Sequence, residues 1–243
     1  MLASDQRLPI AGGAEKRAYV RAMFAAIAPT YDRLNRILSL RMDLRWRRYA
    51  VDRLGWERVP DGIYLDLCAG TLDFAAILAR RSDFRGKVIG ADFVPAMLEL
   101  GRRKAERLEP VAADALVLPF PEATFDGAMV GWGLRNLVDL DAGLAEMARV
   151  LKPGARLAIL EMASPPPGPL QGLYLFYFER VVPQVGRIVS RHRSAYDWLP
   201  ESTRVFPRPP ELARRLSAAG FSSVAYHLFL GGLTALHVGT RTG

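Results

Sequence analysis

The chain has 243 residues, enough for one α/β domain with a buried core and too few for two full-sized domains. Half of the residues are hydrophobic and 24% are charged, which excludes wholesale disorder, and the single cysteine, Cys68, excludes an intramolecular disulfide and a cysteine-rich metal site. The net charge of +8 suits a nucleic acid or an anionic membrane surface, but the arginines are scattered and no zinc-finger, basic-zipper or RNP-like pattern accompanies them. No nucleic-acid partner is therefore expected.

Membrane crossing is not expected either. No stretch is apolar over the about 18 residues that a spanning helix needs. The densest apolar run is LYLFYF at 173–178. Residues 1–13 lack a signal-peptide pattern. These features predict a cytoplasmic protein, with any membrane contact peripheral and at the inner face.

The first part of the chain is predicted to be a flexible tail at 1–14 and a helical segment at 15–56. Apolar residues recur there at helical spacing, and Pro29 interrupts the first helix. From residue 57 short apolar runs alternate with helical patterns, which is typical of βαβ units in a single domain, 57–243. Strands are predicted near 63–68, 87–92, 110–113, 125–131 and 155–163, and helices near 73–81, 95–107 and 140–151.

The alternating pattern stops at ASPPPGP, residues 163–169. Residues 164–208 are predicted to form an insertion for the substrate, with an aromatic-rich helix from 170 toward 190 and a loop at 196–210. A helix near 210–219 follows. Two last strands, at 221–230 and 233–240, are joined by Gly-Gly, a hairpin signal.

The stretch YLDLCAGTLDFA at 64–75 predicts a strand, a turn of small residues and the start of a helix. In open α/β sheets such turns, beyond the carboxyl ends of the strands, hold ligands. Gly70 stands in place of the G-x-G-x-x-G of dinucleotide sites, and Leu72 occupies a position where a glycine is expected. The carboxylates of Asp66 and Asp73 would repel a pyrophosphate and suit a cationic ligand, although Asp73 could instead only stabilise the helix dipole.

Polar residues also follow the next strands. Asp92 ends the second strand, where an acid can accept hydrogen bonds from ribose hydroxyls or simply cap a helix. Asp114 and Ala115 follow the third strand, where they could reach an adenine ring. Arg135 and Asn136 follow the fourth strand, and because neither residue type belongs in a core, both are predicted to face the cleft.

Sequence segments along nearly the whole chain resemble those of the ubiquinone/menaquinone biosynthesis C-methyltransferases. They are MFAAIAPTYDRLNRILSLRMDLRWRR, LDLCAGTLDFA, DFVPAMLELGRRK, LPFPEATFD, GLRNLVDLDAGLAEMARVLKPG, AYDWLPESTRVFP and GGLTALHVG. The resemblance implies an S-adenosylmethionine-dependent C-methyltransferase with a class I, Rossmann-like α/β fold. Its seven-stranded sheet would have five parallel strands and a C-terminal antiparallel hairpin, preceded by a helical lid.

The implied substrate is a reduced prenylated quinone, either demethylmenaquinol or a methoxy-benzoquinol, which is methylated on a ring carbon with S-adenosylhomocysteine as the by-product. Cofactor contacts are implied or predicted for Asp66, Gly70, Thr71, Asp92, Asp114, Ala115, Gly131 and, from the lid, Tyr31. In this sequence Asp114 replaces the family's usual Asn, and Gly131 replaces a frequent Ser.

The resemblance also assigns the chemistry. Arg135 and Asn136 match a pair proposed to act, with Asp92, on a water that helps to deprotonate the quinol. Phenolate charge delocalises onto the ortho carbon, so deprotonation makes that carbon a better nucleophile. Arg135 stays protonated, and its predicted role is to contact the substrate and stabilise the phenolate. Tyr174, Tyr177 and Tyr196 are predicted to line the quinol pocket.

Other interpretations remain open at this stage. The histidines His192, His227 and His237 are alternative bases. The substrate could be a soluble phenolic or specialised metabolite, or the chain could be a non-catalytic quinone-binding or assembly protein. A homodimer is compatible with the sequence. No cluster of His, Cys and Asp has metal-ligand spacing, so no metal is predicted.

Overall fold

The computed structural model describes residues 8–10, 12–163, 172, 176, 180, 184 and 193–243. Its α-helices are α1 (Gly13–Ile27), α2 (Tyr31–Leu38), α3 (Met42–Leu54), α4 (Asp73–Ala79), α5 (Pro95–Gly101), α6 (Leu140–Val150), α7 (Arg193–Val205) and α8 (Pro209–Ala218). Its strands are β1 (Ile63–Leu67), β2 (Lys87–Asp92), β3 (Leu108–Ala112), β4 (Phe125–Gly131), β5 (Leu151–Met162), β6 (Phe221–Phe229) and β7 (Thr234–Arg241).

The strands form one sheet in the order β3-β2-β1-β4-β5-β7-β6. The pairings among β1 to β5 are parallel, and β7 runs antiparallel to both β5 and β6. Strand β1, in the middle, is almost continuously buried because helices cover both of its faces. The predicted fold, five parallel strands and a C-terminal antiparallel hairpin, is confirmed.

Helices pack on both faces of this sheet and bury two apolar clusters. On one face α3 and α4 supply residues such as Trp46, Leu54 and Phe74. On the other face α6 and α8 supply Leu144 and Leu216 among others. The helical N-terminal segment is thus partly core, since α3 packs directly on β5 and β4.

Two predicted elements were wrong. The helix expected at 95–107 ends at Gly101, because the chain turns there, with the Lys104 N–H donating to the Gly101 carbonyl. The loop expected at 196–210 begins as helix α7, which continues through Pro200. Trp198 of this helix is buried and packs against Tyr19, a tertiary contact that favours the helix although Pro200 lacks a backbone donor.

Most of the aromatic-rich helix predicted at 170–190, including Tyr174 and Tyr177, lies outside the described residues. Tyr196 belongs to helix α7, but only its backbone is among the described parts of the structure. Among the helices that the structure does describe, none has the length and apolar character required to cross a membrane.

Candidate active site

A cleft that is open to solvent lies at the carboxyl ends of the parallel strands. Strand β1 sits between β2 and β4, so the strand order reverses beside it, which is where open α/β sheets bind ligands. The cleft is lined by Arg17, Phe24, Tyr31, Leu67, Cys68, Gly70, Ala91, Asp92, Phe93, Met97, Ala113, Asp114, Ala115, Leu116, Gly131, Trp132, Gly133, Asn136, Leu137 and Val138. The structure thus brings together predicted residues from four different strand ends.

The turn after β1 is built from left-handed residues. Cys68, Gly70 and Leu72 have φ values of 53°, 52° and 62°. At Gly70 an added Cβ would lie 3.4 Å from Met97 Cε and 3.8 Å from Tyr31 Cε1, so a side chain there would fill the cleft. Glycine at this position keeps the backbone open to a ligand.

Asp92 clamps this turn from the end of β2. Its Oδ2 accepts the Gly70 N–H at 2.8 Å, and its Oδ1 accepts the Val94 N–H at 2.8 Å. A carboxylate has about four acceptor positions, so each oxygen can still accept a hydroxyl from the cleft. Burial raises the pKa of Asp92 to about 6.

The carboxylates of Asp66 and Asp73 are not among the residues that line the cleft. Asp66 is 1% exposed and accepts the Ala75 N–H at 2.9 Å, so it supports the first turn of α4. Asp73 pairs with Arg36 at 2.5 Å and with Lys104 at 2.6 Å. Both carboxylates are used inside the protein, and Asp92 and Asp114 are the acids that line the cleft in the described part of the chain.

The buried Asp66 carboxyl gives a testable pH dependence of stability. Burial raises the pKa of Asp66 from 3.8 to about 7. From about pH 4 to pH 7 the folded chain therefore holds a proton here that the unfolded chain has lost, so this group makes the free energy of unfolding fall as pH rises.

We expect Asp66→Asn, whose side-chain oxygen can still accept from Ala75, to become increasingly stable relative to wild type across this range, by about 1.4 kcal/mol per pH unit at most. Chemical denaturation of both proteins at several pH values measures the difference. Comparing the two proteins cancels the opposite contribution of His237, whose pKa is lowered by burial. A difference that is constant with pH would contradict the argument.

The N-terminal helices cover the cleft through charged contacts. Arg17 of α1 pairs with Asp114 at 2.5 Å. On α2, Tyr31 lines the cleft, and the next residue, Asp32, accepts the Thr71 hydroxyl and pairs with Lys104 at 2.7 Å. Thr71, predicted to contact the cofactor, therefore donates its hydroxyl to the covering helix.

The predicted pair Arg135 and Asn136 is split between two environments. Arg135 is not a lining residue; its Nη1 donates to Glu161 Oε1 and to the Trp132 carbonyl, both at 2.7 Å. Asn136 lines the cleft, and its Oδ1 accepts the Trp198 indole N–H at 2.8 Å. Since an indole can only donate, this contact fixes the amide orientation and makes Nδ2 the donor, with one N–H directed to the Trp132 carbonyl at 3.4 Å and the second N–H left for the cleft.

Sequence reasoning missed several residues of the site. Glu161 is the last residue but one of β5, and Asp92 is the last residue of β2, so a search for acids at strand ends could have found Glu161 too. Arg17 contacts Asp114, 97 positions away, and Trp198 contacts Asn136, 62 positions away. No local sequence pattern indicates such pairings.

Neither described histidine lines the cleft. His237 is buried, with Nε2 2.9 Å from the Pro209 carbonyl, and His227 packs against Tyr49. His192 is outside the described residues. Within the described ranges, no three or more His, Cys, Asp or Glu side chains are grouped so that they could bind a metal ion.

Sequence comparison supplies close relatives. A demethylmenaquinone methyltransferase of Thermus thermophilus is 48% identical over 223 residues, covering 90% of this chain and all of the relative. A ubiquinone/menaquinone biosynthesis C-methyltransferase of a Geobacter species is 40% identical, covering 93% and 98%. A 2-phytyl-1,4-naphtoquinone methyltransferase of Thermosynechococcus vestitus is 40% identical, covering 91% and 99%.

Solved structures share the fold at low identity. An S-adenosylmethionine-dependent methyltransferase of Aquifex aeolicus gives a TM-score of 0.60 at 19% identity, covering 83% of this chain and 93% of the other. The [4+2]-cyclase SpnF gives 0.67 at 18%, covering 92% and 96%. The ubiE/COQ5 methyltransferase family matches residues 13–241. The predicted enzyme class and the predicted cofactor, S-adenosylmethionine, are confirmed, and the chain belongs to the ubiE/COQ5 methyltransferase family.

Proposed function

We propose that this protein transfers a methyl group from S-adenosylmethionine to a ring carbon of a reduced prenylated quinone, in menaquinone or ubiquinone biosynthesis. The observation that carries the proposal is the full-length similarity to relatives named for demethylmenaquinone and 2-phytyl-1,4-naphtoquinone. A reduced ring is required because only the hydroquinone has a hydroxyl whose ionisation activates the neighbouring carbon.

The cleft fits the cofactor in shape and charge. Apolar side chains such as Phe93, Met97 and Leu116 offer an apolar contact surface for a nucleobase. Asp92 has free acceptor positions for ribose hydroxyls, and Gly70 leaves room beside the backbone. Gly131 and Ala115 also line the cleft, in support of their predicted contacts. When bound, the cofactor supplies an electrophilic methyl group attached to a cationic sulfur.

The side chains around the cleft support a mechanism based on proton removal. The pKa of Asp92, raised by burial to about 6, lies near working pH, as suits a group that takes a proton through a water. Asn136 Nδ2 can orient that water, because Trp198 holds the amide in place. Arg135 Nε is buried without a hydrogen-bond partner in the described part of the chain, a donor that a phenolate oxygen could satisfy.

We also propose the finer arrangement of the chain. Within residues 15–56, α1 and α2 serve as the lid while α3 packs on the sheet. Residues 164–208 serve as the substrate insertion, where Tyr174, Tyr177 and Tyr196 contact the quinol. The enzyme meets its substrate at the inner face of the membrane. Partial burial of Tyr31 raises the pKa of its phenol and keeps it neutral as a wall of the cleft.

Purified protein should bind S-adenosylmethionine in a calorimeter and methylate a reduced naphthoquinone. Absence of binding would favour the non-catalytic alternative. Binding without any product from quinols, with turnover of a soluble phenol, would favour the alternative substrate. Increasing activity with prenyl chain length would support the proposed substrate over a soluble one.

Asn136→Ala is expected to lower kcat about a hundredfold, because the water loses an orienting donor, while cofactor affinity is retained. Trp198→Phe removes the hydrogen bond that fixes the amide and keeps an aromatic ring at this buried position, so a smaller loss is expected. Steady-state kinetics with calorimetry on each variant provides the test. If Asn136→Ala kept the wild-type kcat, the water-orienting role would be wrong.

A further inference from the structure

The turn between α2 and α3 exposes two large apolar side chains. Leu40 is 80% exposed and Ile37 is 43% exposed. Leu40 and Arg41 have φ values of 50° and 62°, and the turn is closed by a hydrogen bond from Arg41 N–H to the Arg36 carbonyl at 2.9 Å. The backbone therefore holds Leu40 out in solvent, in a conformation that is unfavourable for a residue with a side chain.

Arginines flank this apolar tip. Arg41, Arg45 and Arg48 are exposed and are spaced so that they share one face of the chain at α3. None of the three forms an ion pair with a residue that the structure describes. Asp43, the acid within residues 37–48, is 2% exposed and is paired with Arg36 and Arg47. The outer surface of this stretch is thus cationic around an apolar centre.

This combination fits an anionic lipid surface better than a nucleic acid. Exposed arginines attract either polyanion. An exposed leucine with a neighbouring isoleucine adds to the binding free energy only where it can enter an apolar phase. The segment also connects to the cleft, since α2 is about 12 Å long and carries Tyr31 at its other end. A contact at the tip would therefore fix the position of α2, the helix that covers the cleft.

We propose that the α2–α3 tip, defined as Ile37, Leu40, Arg41, Arg45 and Arg48, docks the protein on an anionic bilayer, with Leu40 entering the interface and the arginines meeting lipid phosphates. The choice of partner rests on the proposed function, because a prenylated quinol resides in a bilayer. The binding itself needs neither cofactor nor quinol.

Sedimentation of the full chain with vesicles tests the proposal. Wild type should bind vesicles containing equal parts of phosphatidylglycerol and phosphatidylcholine, and bind phosphatidylcholine alone weakly. Leu40→Asp should weaken binding about tenfold or more. Replacing Arg41, Arg45 and Arg48 with Gln should weaken it about fivefold for each arginine. Val117→Asp is the matched control, since Val117 is 75% exposed and the arginines that contact its turn, Arg17 and Arg149, are paired with Asp114 and Glu146. This variant should bind as wild type does.

Two results would overturn the proposal. Unchanged vesicle binding by Leu40→Asp would remove the apolar tip from the contact. Loss of binding on arginine replacement alone, with DNA competing equally well, would make the surface a general polyanion site. Turnover of a tail-less reduced naphthoquinone in vesicle-free solution is measured in parallel and should be normal for Leu40→Asp. Failure of that turnover in wild type would count against the proposed function, separately from docking.

Discussion

Glu161→Ala is expected to lower the free energy of unfolding by about 3–5 kcal/mol, because it leaves the Arg135 guanidinium buried without its partner. Glu161 is 1% exposed and the Arg135 side chain is 10% exposed. The Glu161 carboxylate also accepts the Met162 N–H at 2.8 Å and the Arg135 N–H at 3.3 Å. Denaturant unfolding measures the loss.

The same pair separates a structural from a catalytic role of Arg135. Arg135→Met with Glu161→Leu removes both charges and should recover most of the lost stability, since buried ion pairs are often replaceable by apolar residues. If Arg135 stabilises the phenolate, this stable double variant should still lack turnover. Wild-type turnover in the double variant would show that Arg135 only supports the fold.

An exposed pair provides the control for this comparison. Arg85 and Asp61 are joined by two hydrogen bonds but have side chains 60% and 65% exposed. Asp61→Ala should leave the unfolding free energy nearly unchanged, because water replaces the partner. If Glu161→Ala were as mild as Asp61→Ala, the buried pair would not have the assigned role.

Leu72→Ala is expected to lower the free energy of unfolding by about 2–5 kcal/mol, as is usual when a buried leucine is replaced by alanine. Leu72 is completely buried although its backbone is left-handed. Its Cδ2 lies 2.0 Å from the position of a Cβ built on Gly90, so leucine fills the space above that glycine. The side chain thus compensates for a conformation that favours glycine.

Leu72→Gly is the matched variant, since it removes both the side chain and the strain. Its free energy of unfolding should exceed that of Leu72→Ala by about 1 kcal/mol or more, and should remain below that of wild type. Cofactor affinity should change less than tenfold, about 1.4 kcal/mol, because Leu72 does not line the cleft. An affinity gain well above tenfold would show that leucine impairs the turn.

Gly90→Ala provides an independent check of the same packing. An added methyl group overlaps Leu72 in wild type and should be destabilising, whereas the Leu72→Ala background should tolerate it better. Equal costs in both backgrounds would contradict the contact.

The sheet could be predicted from sequence because its central strands are mostly apolar runs, and in β1 and β2 an acid stands at or next to the carboxyl end, as in IYLDL and KVIGAD. The candidate site followed from the same rule, and Asp92, Asp114 and Asn136 do line one cleft. What the rule does not reveal is which way a polar side chain turns. Asp66 turns to a helix backbone, and Arg135 turns to Glu161.

Helix α7 illustrates a different limit. Local propensity around Pro200 favours a loop, and contacts with residues distant in sequence, among them Tyr19 and Asn136, explain why Trp198 is buried in a helix. Leu72 shows the same limit in the backbone, because its left-handed φ is stabilised by packing on Gly90. Both features depend on tertiary contacts that a local pattern does not contain.

Isotope transfer tests the central claim most directly. The protein is incubated with S-adenosylmethionine labelled in its methyl group and with a demethylated prenyl naphthoquinone, in reduced and in oxidised form, and the product is analysed by mass spectrometry and NMR. The account predicts one labelled methyl group on a ring carbon, formed from the reduced substrate alone. Label on an oxygen, equal transfer to the oxidised ring, or no transfer to either form would contradict it.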